Sequence, residues 1–164
     1  MRILVAVLFY LLYWGICFLC TGGDQKNLLG LRSYPKKVQE RVRAEKSLAD
    51  KVPAAKPVMT VLISNLVLFT VVFSLLGIIL KSVLALDSYL SAFLYFLLLG
   101  EGLGLFDLLV IDLLWWRNTR RIRFSFLPEK EAYQDPAMHV DSFLRGIPLF
   151  AVMAALTAGI VTLL

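Results

Sequence analysis

Three carboxylates stand inside one apolar run. Glu101, Asp107 and Asp112 lie in 89–116, a stretch made otherwise of aliphatic, aromatic and small residues. An ionisable group in hydrocarbon is costly, so it borders a wet cavity, meets a cation or another helix, or keeps its proton. That chemistry suits a proton or cation relay, a partner-helix contact, or the acid/base pair of an intramembrane enzyme. Measured back from Trp115 and Trp116, Glu101 lies roughly 20 Å up a helix, Asp107 about 13 Å and Asp112 about 6 Å. On an α-helical wheel Glu101 and Asp112 are about 20° apart and share a face, whereas Asp107 points roughly 120° away. Asp112 is within reach of interfacial water and of the arginines that follow it. Glu101 is not, and the other apolar runs hold no Lys or Arg to pair with it. The bland alternative is hydrogen bonding inside a helix bundle, with Asn65, Ser64 or Thr70 as partners.

Directly after the acidic run comes WWRNTRRIR, with Arg117, Arg120, Arg121 and Arg123. Tryptophan anchors at headgroup level and arginine offers bidentate donors to phosphate, so the cluster is expected to hold anionic lipid or a phosphorylated substrate. Positive charge is also what topology demands at such a place. His139 and Asp141 lie two apart in a polar segment, a spacing that does not share a helix face. Cys17 and Cys20 form C-x-x-C inside an apolar run, without a second ligand pair, and read as small hydrophobes. No phosphate-binding glycine loop, HExxH, GxSxG or paired cysteine–histidine set occurs, so neither metal nor cofactor is expected.

The elements that must carry these residues follow from composition. Hydrophobic residues make up 59% of the 164-residue chain and charged ones 18%, at a mean hydropathy of +0.77. A soluble domain would be closer to half apolar and a quarter charged. The excess falls in four runs, at about 3–20, 58–80, 89–116 and 147–164, which predicts an all-α polytopic fold and a single membrane domain over 1–164. The runs are continuously apolar, unlike the alternating strands of a membrane β-barrel. Run 3–20 is longer than a signal-peptide core and has no small-x-small site before Thr21, so a retained span is expected. Run 89–116 would be roughly 42 Å long against a hydrocarbon core of about 30 Å, so it must tilt, break or project. Gly100, Gly102 and Gly104 offer a bend or a close helix contact. Asp135-Pro136 reads as the start of a helix leading into the last span.

Charge sets the expected orientation. Loop 21–57 carries nine of the seventeen Lys and Arg, loop 117–146 six, and the connector between them one. The two basic loops are therefore expected in the cytoplasm and both termini outside, with Arg2 on the unfavoured side. Net charge is +5, which the same rule and attraction to anionic lipid explain without nucleic acid. Within the first loop Pro35 suits a first helical turn, and Val38, Val42 and Ala49 fall roughly on one face among Lys and Arg. That segment reads as a basic helix on the inner leaflet, a docking surface, or a solvated loop helix. Leu28, Leu29 and Leu31 are candidates to dip into the interface.

GLRSYPKKVQ in the first loop and FDLLVIDLLWWRNTRRIRF at the third span resemble small four-span bacterial membrane proteins of uncharacterised function, some with permease-like labels. The resemblance implies the bacterial inner membrane. The leading expectation is a non-enzymatic transport-associated or assembly component. Its acidic third span, with Asn65, would bind a proton, cation or partner helix. Its arginines would hold lipid phosphate, and four spans would need a homo-oligomer or larger membrane complex to enclose a path. The alternative is a membrane-embedded enzyme acting on a phosphorylated lipid, with Asp112 or His139 as base.

Overall fold

The computed structural model describes residues 1–164. It is all-helical, at 76% helix and without strands. Four helices are long and apolar enough to cross a membrane. They are α1 (Arg2–Leu19), α4 (Val58–Leu84), α5 (Tyr89–Phe106) continued by a π-helical segment (Asp107–Trp116), and α6 (Ala137–Leu163). Two short helices, α2 (Asp24–Leu29) and α3 (Lys36–Ala44), lie in the first polar loop.

The helices start where the sequence supplies a start. Asp135 Oδ1 accepts from the Ala137 N–H at 3.0 Å, and the His139 and Val140 N–H groups reach the Pro136 carbonyl, so α6 begins at the Asp-Pro pair. From there α6 runs unbroken through Pro148, ten residues earlier than the apolar run alone suggests. Likewise α4 continues past residue 80 to Leu84 and stops at Ala85, whose φ of 49° is left-handed. The Leu86 N–H turns back to the Lys81 carbonyl, closing the helix in the manner of a Schellman cap.

Two compact bodies emerge. The first takes residues 1–9, 56–105 and 144–164. Its interior is helix against helix: Phe73 and Phe96 are fully buried, Phe69 meets Phe150 edge-on, and Phe9 meets Phe73. Glycines let these helices close. A methyl at Gly77 would lie 2.6 Å from Val161 and 2.7 Å from Phe96, and one at Gly100 would lie 2.8 Å from Phe150. Gly100 therefore serves close packing of α5 on α6, one of its two expected uses. Arg2, unfavoured by the charge rule, has a local task. Its guanidinium donates to the Leu84 and Ala85 carbonyls at 2.7 and 2.8 Å and to Ser91 Oγ at 3.0 Å. A cation at a helix C-terminus satisfies carbonyls that have no intrahelical partner.

The second body takes residues 10–55 and 106–143. Leu28, Leu31, Tyr34, Val38, Val42 and Leu48 from the first polar loop bury against Trp116, Ile122, Phe124, Leu127 and Tyr133. The Tyr34 hydroxyl donates to the Ile122 carbonyl at 2.8 Å, and the Tyr133 hydroxyl donates to Leu127 and accepts from the Phe124 N–H. Burial pushes the Tyr34 phenol up from its ordinary range. The two basic loops thus form one small hydrophobic core and must share a side of any bilayer that the helices cross. This revises the picture of α3 as a helix lying on lipid, because Val38 and Val42 are already spent on the core. Leu28 and Leu31 are buried too, and only Leu29 of that trio is exposed.

Candidate functional site

Two places hold the chemistry. In the first body, Glu101 is carried by α5 on the wheel face opposite the buried side, which comprises Ala92, Tyr95, Phe96, Leu99, Gly100 and Leu103. Its own face carries Leu90, Leu94, Leu98 and Leu105, all exposed. Glu101 is only partly covered and makes no hydrogen bond or ion pair. Asn65 is exposed on α4, also unbonded, and Ser64 spends its hydroxyl on the Thr60 carbonyl of its own helix. The in-bundle hydrogen bonds that would have explained Glu101 away are not made.

In the second body the acidic run changes winding. From Asp107 to Trp116 the backbone bonds i to i+5, ending with the Arg117 N–H on the Asp112 carbonyl at 3.2 Å. With α winding, Asp107 and Asp112 would diverge by about 140°. At roughly 80° per residue, π winding cuts this to about 40°. The two carboxylates come within electrostatic reach of each other and of Tyr13 and Cys17 on α1. The shared face expected of Glu101 and Asp112 assumed unbroken α winding, which ends at Phe106. Such π segments are rare and frequent at functional sites.

Asp112 also meets α6. Its Oδ2 lies 2.9 Å from His139 Nδ1, and His139 is 3% exposed. The imidazole packs edge-on against Trp116, with ring centres 4.7 Å apart, and Nε2 is buried without a hydrogen-bond partner. Because π winding places residues four and five apart on neighbouring faces, Asp112 and Trp116 can hold the same ring. His139 gave only a faint signal in the sequence, where its nearest acid is Asp141 and Asp112 is 27 positions away.

The four arginines do not converge on this pair. Arg121 donates from Nη2 to the Phe18 and Thr21 carbonyls at 3.1 and 2.9 Å, and its guanidinium covers the Phe18 ring at 3.9 Å. Gly22 makes room for it: its φ is +104°, and a Cβ there would lie 2.7 Å from Arg121 Nη2. Arg123 donates to the Pro128 carbonyl at 3.1 Å. Two members are thus bound to backbone. Arg120 stands exposed and Arg117 is half-buried, both without a side-chain hydrogen bond. No cluster of His, Cys, Asp and Glu is arranged to hold a metal ion. Compared with protein-family models, curated proteins and solved structures, the chain matches none.

Proposed function

We propose that the protein is a small multi-pass component of the bacterial inner membrane, non-enzymatic, serving the assembly of a membrane complex or a transport process, with Glu101 as its point of contact with a partner helix. One observation carries this reading: Glu101 faces away from its own bundle, in the middle of a leucine face, with no partner in the chain. A carboxyl in that position gains from any helix that brings it a hydrogen-bond partner. Asn65, exposed and unbonded on α4, is a second outward contact of the same kind. Arg120 and Arg117 remain available for lipid phosphate, and the positive-inside rule supports cytoplasmic basic loops and outward termini.

A photoreactive amino acid at position 101 tests the reading in native membranes. It should yield a discrete protein adduct, while the same probe at Leu68, on the lipid-exposed side of α4, should yield lipid adducts only. Lipid adducts alone at position 101 would defeat the proposal.

A second reading draws on the Asp112–His139 pair. An aspartate that fixes Nδ1 leaves Nε2 as a base, the arrangement used in general base catalysis. This favours an enzyme acting on a phosphorylated lipid at the membrane surface, with Arg117 and Arg120 holding phosphate. The two readings separate in a paired phenotype. Loss of function in Asp112→Asn with Glu101→Gln unaffected favours the enzyme, and a defect confined to Glu101→Leu favours assembly.

A further inference from the structure

We propose that the partner helix at Glu101 is α5 of a second copy of this chain, the two copies joined through a Glu101–Glu101 hydrogen bond at the centre of a leucine seam. The inference rests on the assembly reading and names its partner.

Three features on α5 argue for it. First, spacing: Leu94, Leu98, Glu101 and Leu105 follow at intervals of four, three and four, the repeat by which one helix packs along another, and the three leucines are 48%, 71% and 47% exposed. Second, symmetry: two copies inserted with the same topology can form a closed pair only about an axis along the membrane normal, so each residue near that axis meets its own equivalent at equal depth. Third, chemistry: the apolar runs contain no Lys or Arg, so a pair of these chains offers Glu101 no cation. Two carboxyl groups holding protons between them need none, because an O–H of one donates to the oxygen of the other.

Asn65 does not substitute. Phe96 packs against Phe73 and beside Gly77, which sets the antiparallel register of α4 and α5 and brings Glu101 level with about residue 70. Asn65 then lies about 8 Å away in depth. In a two-fold pair that gap persists, so Glu101 faces Glu101.

The test uses the full chain with Cys17 and Cys20 replaced by Ala, labelled with donor or acceptor dye at Lys46→Cys on the exposed loop surface, in phosphatidylethanolamine/phosphatidylglycerol vesicles. Energy transfer is followed as lipid dilutes the protein. The natural residue and Glu101→Gln, whose amide can also pair with itself, should associate at the same dilution. Glu101→Leu, which keeps the seam apolar, should associate about five- to tenfold more weakly. Separately, Glu101→Cys should form an intermolecular disulfide on oxidation much faster than Leu68→Cys at similar depth. Association of Glu101→Leu equal to the natural chain, or no faster disulfide at 101, would overturn self-pairing. If photocrosslinking at 101 then captures a different membrane protein, the assembly reading stands with another occupant. If it captures only lipid, both fall.

Discussion

His139 is the chain's one histidine, and the geometry around it sets its tautomer. Asp112 accepts at 2.9 Å from Nδ1, so a neutral ring carries its hydrogen there and leaves Nε2 bare, against Trp116 and without a partner. Nitrogen NMR on histidine-labelled protein therefore reads this contact from a single residue. The natural chain should show the Nδ1–H form as the neutral species. Asp112→Asn, whose amide can donate as well as accept, should move the balance toward Nε2–H. An unchanged tautomer would mean that the aspartate does not hold the ring. Asp112→Ala strands a buried polar side chain and should cost about 1–3 kcal/mol of stability. Little of this pair was legible in the sequence, because nothing in residue type marks a contact between positions so far apart. Glu101 was legible as a costly acid in oil, but the face it points to was not.

Helix by helix, hydropathy revealed more than it did for the loops. The four apolar runs became the four long helices, since 18 or more apolar residues leave few other ways to satisfy a backbone. The ends moved where polar residues continue a helix, as in the 137–146 stretch of α6. The small loop core was not legible: its residues are scattered over 28–48 and 116–133, a few in each turn, and share no period. The π winding was not legible either, for DLLVIDLLWW is ordinary helix-forming sequence. Packing of the long helices gives its own prediction. Gly77→Ala and Gly100→Ala place a methyl within 2.6–2.8 Å of side chains on neighbouring helices, whereas Gly159→Ala meets nothing within 4 Å. Thermal unfolding in lipid should show the first two destabilised by about 1–3 kcal/mol and the third unchanged or slightly stabilised. Equal effects at all three sites would contradict the close helix approach.

At the scale of the whole molecule, a shared loop core is combined with an unfinished helix surface. The two basic loops, with nine and six Lys and Arg, share one small core. Four helices long and apolar enough to cross a membrane leave an acid pointing outward that the chain itself does not answer. The most direct measurement is the protein mass of particles taken from native membranes with their surrounding lipid, for the natural chain and for Glu101→Leu. Self-pairing through Glu101 predicts a mass above that of one 18.5 kDa chain for the natural protein and a shift to the single chain for the leucine variant. A natural protein found only as one chain, or two forms of equal mass, would contradict it.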